Sequence, residues 1–175
     1  MKRYWLTAIL FGLFILEGTV VQLIVPPLWQ SVVTVSPQLV LVIVLFIAVF
    51  LGRHMGLAYG FGFGLLHDIV YYGHMMGTFA FSMALAGYFT GLLAQRSRGS
   101  VVSGMFLGLA GNLLFLWTHY GIYRVFQITH AGVEETFLFQ MIPSLLVDLL
   151  FALAVYVPVR KLLEPLAAPP TKEDE

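Results

Sequence analysis

The stretch "GFGFGLLHD", Gly60 to Asp68, lies inside an apolar segment and combines two features that are unusual for a helix in lipid. Glycine weakens a helix by about 1 kcal/mol relative to alanine, and a carboxylate at the centre of a membrane helix costs about 2.5 to 3.5 kcal/mol on insertion scales. Gly56, Gly60 and Gly64 recur every four residues, and Asp68 continues the same helical face. Because small residues allow helix backbones to approach closely in lipid, the stretch predicts a helix that packs along a glycine seam.

The composition of the whole chain predicts an integral membrane protein. Hydrophobic residues make up 59% of the 175 positions, charged residues 10%, and the mean hydropathy is +0.90. Soluble domains contain about 45–50% apolar residues, so this chain has too few polar side chains to cover a soluble globule. The net charge of zero argues against a nucleic-acid partner. The absence of cysteine excludes disulfides, thiol catalysis and cysteine metal sites.

Proline, glycine and charged residues divide the apolar chain into six segments. A crossing of the bilayer needs about 20 apolar residues, so the expected fold is an all-α, six-helix transmembrane bundle that interacts with membrane lipids. It forms a single domain over residues 1–164, followed by a disordered cytoplasmic tail over residues 165–175. The second segment is short for a crossing and the sixth is long. The segments are Tyr4 to Val25, Pro37 to Leu51, His54 to Tyr71, Met75 to Ala94, Ser100 to His119 and Phe137 to Leu163.

The basic residues predict the orientation of these helices, because short cytoplasmic loops retain lysine and arginine. With both termini cytoplasmic in a bacterial inner membrane, Arg124 alone lies outside. The basic residues on the cytoplasmic side are then Lys2, Arg3, Arg53, Arg96, Arg98, Arg160, Lys161 and Lys172. A signal peptide is the alternative for the first segment. A retained helix is favoured, since apolar character resumes after Glu17 and no small-residue cleavage motif precedes Pro26.

Small residues recur at helical spacing on most of the other segments. We interpret these faces as close-packing seams of a compact bundle; the alternative is that one of them docks a partner protein. Segment four carries Ala80, Ala84, Gly87 and Gly91, segment five Gly104, Gly108 and Asn112, segment six Ser144, Asp148 and Ala152, and segment one Ala8 and Gly12.

Four polar residues inside the segments form a predicted cluster: Glu17, Asp68, Asn112 and Asp148. At 1.5 Å per residue the first three lie roughly 18 to 21 Å from the cytoplasmic ends, in the outer half of the bilayer. The cluster is interpreted as hydrogen bonds that bridge helices, as a pocket for a small ligand, or as a proton relay or partner contact. The sequence contains no nucleophile motif, phosphate loop or paired-acid pattern, and adjacent His67 and Asp68 lack metal-ligand spacing. We therefore expect no enzyme activity, cofactor or metal.

The stretch from Ser36 to Leu93 resembles the bacterial rod shape-determining protein MreD family. Shared features are a proline opening the second helix, a basic residue between helices two and three, a glycine ladder that ends in Gly-x-x-x-Asp, a further single glycine, and Gly-Tyr-x-x-Gly. These positions are Pro37, Arg53, Gly56, Gly60, Gly64, Asp68, Gly77, Gly87, Tyr88 and Gly91. Gln38 departs from the family, which often has aspartate after this proline.

This resemblance implies a non-catalytic membrane subunit of the rod or elongation complex. Its partners would be the bitopic protein MreC, together with the actin-like MreB, RodA and a class B penicillin-binding protein. The family is also similar to the substrate-binding subunits of energy-coupling-factor transporters, which have six helices and dock through small residues on helix one. Ala8 and Gly12 match such a docking face. The alternative function is therefore a vitamin-binding or solute-binding transporter subunit.

Overall fold

The computed structural model describes residues 2–24, 37–71, 75–96, 101–129 and 132–167. All regular structure in these ranges is helical, which confirms the all-α prediction. The helices are α1 (Lys2–Ile24), α2 (Leu39–Leu51), α3 (Arg53–Val70), α4 (Thr78–Ala94), α5 (Val101–Val125), α6 (Val133–Thr136) and α7 (Ile142–Ala167). A π-helical turn, Phe137–Met141, joins α6 to α7 in one continuous helix. The residues between the first two predicted segments, most of the predicted tail, Arg98 and Lys172 lie outside the described residues.

Consecutive long helices run in opposite directions. α1, α3 and α5 point one way and α2, α4 and α7 the other, as the contacting pairs require. Two pairs set each relative direction: Gly56–Gly87 and Gly64–Ala80 for α3 with α4, Thr7–Tyr59 and Phe14–Tyr71 for α1 with α3, Phe79–His119 and Thr90–Gly111 for α4 with α5, Val49–Gly104 and Phe46–Gly108 for α2 with α5, and Gln38–Asp148 and Phe46–Tyr156 for α2 with α7. One end of the bundle therefore carries Arg53, Arg96, Arg160 and Lys161, and we call it the basic end. Arg124 lies near the opposite end.

The short helix α2 lies at the centre of the bundle. Every residue from Val40 to Ala48 is buried, and α2 packs against α1, α3, α4, α5 and α7. Its continuous valine, leucine and isoleucine run suits an element that meets protein on all sides. Thirteen residues extend only about 20 Å at 1.5 Å per residue. Gly52, with φ +96°, then turns the chain directly into α3.

The fifth and sixth predicted segments, Ser100 to His119 and Phe137 to Leu163, are too short at the stretch that joins them. α5 continues through Gly121 to Val125, and Arg124 Nη1 donates to the Tyr120 hydroxyl one turn earlier at 3.2 Å. The helix ends before Gln127, whose φ of +55° is left-handed. At the other edge helical structure resumes at Val133. Pro143 lacks the N–H that an α-helix would use, which accounts for the π turn just before it.

Two helices of the described chain are long and apolar enough to cross a membrane: Val102–Val125 and Val133–Glu164. Three other apolar helices are shorter: Tyr4–Thr19, Leu39–Leu51 and Thr78–Ala94. This finding rests on length and composition alone, so the number of crossings stays a prediction.

Candidate functional site

The closest helix contact follows the glycine ladder of α3. A Cβ added at Gly60 would lie 2.6 Å from the carbonyl oxygen of Met83, and one added at Gly64 would lie 2.6 Å from Ala80 Cα. A Cβ on Gly56 would lie 2.7 Å from the carbonyl oxygen of Gly87. All three atoms belong to the α4 backbone, which cannot rotate away as a side chain can. Only glycine fits at these three positions without moving one of the helices.

Two further glycines of the predicted seam complete this contact from the α4 side. Gly87 faces the backbone of Gly56, so the two glycines lie directly opposite each other. A Cβ on Gly91 would lie 2.6 Å from the backbone nitrogen of Arg53. The α3–α4 seam is therefore built from glycines on both helices, with Ala80 of α4 opposite Gly64.

Asp68, the last member of the ladder, holds the amino end of α4. Its Oδ1 accepts the Phe79 N–H at 3.2 Å and its Oδ2 accepts the Ala80 N–H at 3.0 Å. These are two of the first N–H groups of the helix, which have no partner within it. Gly77, at φ +95°, supplies the left-handed residue before the helix and offers no side-chain cap of its own. A neighbouring helix thus supplies the cap.

The amino end of α2 is held in the same way by two other helices. Glu17 Oε2 on α1 accepts the Val40 N–H at 3.0 Å, and Asp148 Oδ1 on α7 accepts the Gln38 N–H at 2.8 Å. Asn112 Nδ2 on α5 donates to the second oxygen of Asp148 at 2.8 Å. The partial positive charge at a helix amino end favours carboxylates there. The first turn of α2 is consequently tied to α1, α5 and α7.

The structure thus brings three residues of the predicted polar cluster together and places the fourth at a second helix end. Glu17, Asn112 and Asp148 meet at α2, whereas Asp68 serves α4. His67 lies between the two ends, with its Nε2 3.8 Å from Glu17 Oε1. The His67 ring also stacks on Phe79, whose N–H Asp68 accepts.

Sequence reasoning did not predict that His67 lies close to Glu17, because the two residues belong to different helices, α3 and α1. It also missed Gly18, where a Cβ would collide with the Tyr71 hydroxyl, and Gly111, where one would collide with Thr90 Oγ1. Neither glycine continues a four-residue ladder. Tyr71 donates a hydrogen bond to the Phe14 carbonyl, which fixes it against α1.

At the three remaining glycines of the predicted site, an added Cβ would meet no backbone atom within 4 Å. A Cβ on Gly104 would meet only Val49 Cγ1 at 3.7 Å and one on Gly108 only Phe46 Cε1 at 3.9 Å, which are ordinary contacts. Gly12 has no atom within 4 Å of such a Cβ, and it lies with Ala8 on the exposed face of α1. A Cβ added at Gly12 would therefore lie in open space.

Chemically, the site is a set of buried polar groups in which the three carboxylates already have donors. Asp68, Asp148 and Glu17 each accept backbone N–H groups, so their oxygens act as helix caps. Within the described ranges, no group of three or more histidine, aspartate or glutamate side chains is placed to hold a metal ion. The arrangement fixes helix positions.

A family model described as rod shape-determining protein MreD matches residues 2–166. Comparison with curated proteins and with solved structures gives no match.

Proposed function

Since the chain belongs to the rod shape-determining protein MreD family, we propose that it is a non-catalytic membrane subunit that organises cell-wall synthesis by binding other membrane proteins. The family supports a role in rod shape determination. The finer proposal is a six-span protein of the bacterial inner membrane that joins the peptidoglycan elongation complex through an MreC-like bitopic partner. MreB, RodA and a class B penicillin-binding protein complete the proposed assembly.

The observation that carries this proposal is that the buried carboxylates cap the amino ends of helices. Polar groups inside a membrane protein often mark transport or catalysis, but here Glu17, Asp68 and Asp148 accept hydrogen bonds from helix amino ends. Each bond joins two different helices. Such groups stabilise one arrangement of the bundle, which favours a rigid binding surface.

The size of the cavities also favours a non-catalytic subunit that binds other proteins over a solute-binding transporter subunit. The cavity beside Asn112 and Asp148 encloses about 20 Å³, whereas small-molecule pockets measure roughly 300–1,000 Å³. A larger groove of about 330 Å³ lies between α1 and α3, and Tyr59, whose hydroxyl lies 3.4 Å from Thr7 Oγ1, is the single polar side chain of its described lining. A vitamin site needs polar groups that fix the orientation of the ligand. The solute-binding alternative therefore has less support.

Complementation in a rod-shaped bacterium that lacks its own MreD tests the proposed role. We expect the chain to convert round cells back to rods and to co-purify with a bitopic MreC-like protein. Round cells despite normal amounts of membrane-inserted chain would contradict the proposal. Recovery of a pair of ABC-type ATPases with a coupling membrane protein would instead support the transporter alternative.

The exposed face of α1 provides a sharper test of partner binding. Gly12→Leu adds bulk where no atom lies within 4 Å, so it should leave the bundle folded while it displaces a partner helix. We expect at least a tenfold loss of co-purified partner. Ala154→Leu, on the exposed face of α7, is the matched control and should retain the partner. Equal recovery with both variants would exclude the Ala8 and Gly12 face as the docking surface.

A further inference from the structure

A small cavity lies where α2, α5 and α7 meet, just below the capped amino end of α2. It encloses about 20 Å³, and Asn112 and Asp148 are the polar residues that line it, among apolar neighbours that include Phe46 and Gly108. A buried water needs about 10–15 Å³ and two to four polar partners. The cavity therefore has room for one water molecule and for nothing much larger.

At this cavity the side-chain oxygen of Asn112 is a hydrogen-bond acceptor without a donor. The side chain is 3% exposed, and its Nδ2 donates to Asp148 Oδ2 at 2.8 Å. Its Oδ1 is buried without a hydrogen-bond partner. Buried amide oxygens are almost always paired with protein or with ordered water, so the missing partner is a donor that fits the adjacent cavity.

Gly108 is the second feature that points to an occupant. The glycines of the α3–α4 seam face a helix backbone, but a Cβ on Gly108 would meet only Phe46 Cε1, at 3.9 Å. The neighbouring helix therefore leaves room for alanine at position 108, and alanine would stabilise α5 more than glycine does. Since Gly108 and Phe46 both line the cavity, an added methyl group would enter it.

We propose that this cavity binds one ordered water molecule, which donates one O–H to Asn112 Oδ1 and the other to Asp148, and that Gly108 keeps the space open. The water completes the link between α5 and α7 beneath the first turn of α2. This inference concerns the bundle itself and does not depend on the cell-shape role.

The direct test is a structure of the full chain in lipid nanodiscs at a resolution that shows ordered water. We expect a single peak at hydrogen-bond distance from Asn112 Oδ1, absent from the Gly108→Ala variant while the helices keep their positions. An empty cavity would overturn the proposal. A peak that appears only with added sodium or potassium would also overturn it, because the occupant would then be a cation.

Thermal unfolding of two matched variants gives an independent test. Gly104→Ala lies one turn away on the same helix, outside the cavity lining, and meets only Val49 at 3.7 Å. It should raise Tm by about 2–4 °C through helix propensity. Gly108→Ala gains the same propensity but displaces the water, so its Tm should not rise. An equal rise in both variants would overturn the proposal.

Discussion

At the scale of the residue, two glycines of the quoted stretch that lie two positions apart should respond to alanine in opposite ways. A Cβ on Gly60 would lie 2.6 Å from the Met83 carbonyl oxygen, whereas nothing lies within 4 Å of one on Gly62. Gly60→Ala should destabilise the bundle by about 1–3 kcal/mol, as overpacking does. Gly62→Ala should stabilise it by up to about 1 kcal/mol through helix propensity. Thermal unfolding of the purified variants measures both, and a loss of stability in Gly62→Ala as large as that in Gly60→Ala would contradict the seam.

The same glycines show what a residue pattern predicts and where it stops. Four-residue spacing placed Gly56, Gly60 and Gly64 on one face, and that face meets the α4 backbone. Gly104 and Gly108 share the spacing, yet a Cβ at either position meets only a side-chain atom at ordinary distance. Spacing fixes which residues share a face of a helix. It carries no information about how closely the neighbouring helix approaches, because that depends on residues elsewhere in the chain.

At the scale of the element, Asp68 should control the first turn of α4. Asp68→Ala removes the acceptor of the Phe79 and Ala80 N–H groups, and loss of a helix cap costs about 0.5–2 kcal/mol. Asp68→Asn keeps one oxygen acceptor and should cost less. Asp68→Lys should cost most, because a buried cation opposes the positive amino end of the helix. Amide hydrogen exchange at Phe79 and Ala80 measures the effect.

Exposed Glu135 on α6 serves as the control for Asp68, since Glu135→Ala should leave exchange in α4 unchanged. The competing interpretation gives Asp68 a direct role in partner binding. Severe and equal loss of cell shape with Asp68→Ala and Asp68→Lys, at normal protein level and with unchanged exchange, would favour that interpretation over a capping role.

The elements themselves were largely predictable, because long apolar runs bounded by proline, glycine or charge leave little alternative to helices. The predicted Pro37 to Leu51 segment and α2 differ only at the first residues, and both end at Leu51. The carboxylates were expected to face protein or water rather than lipid. Their partners were not predictable, since Glu17 and Val40 belong to different helices, and a single sequence does not specify which helices become neighbours.

At the scale of the whole molecule, the alternating helix directions gather charge at one end. Arg53 and Arg96 lie at the basic end with Arg160 and Lys161, whereas Arg124 lies near the other end. Cytoplasmic loops retain basic residues, so this distribution favours a cytoplasmic basic end if all the long helices cross the bilayer. α2 is short for a crossing, with 13 residues. Its amino end is satisfied by Glu17 and Asp148 within the bundle, which allows a short buried helix to lie among longer ones.

The cysteine-free chain allows this topology to be tested with single cysteines. Gln95→Cys lies at the carboxyl end of α4, at the basic end, and Glu134→Cys lies in α6 at the opposite end; both positions are exposed. In intact spheroplasts an impermeant thiol reagent should label the cysteine at position 134 and spare the one at position 95. Both should react after the membrane is opened with detergent, which controls for accessibility. Labelling of position 95 from outside would reverse the orientation, and labelling of both positions from outside would exclude a crossing by α5, because α5 separates them in the chain.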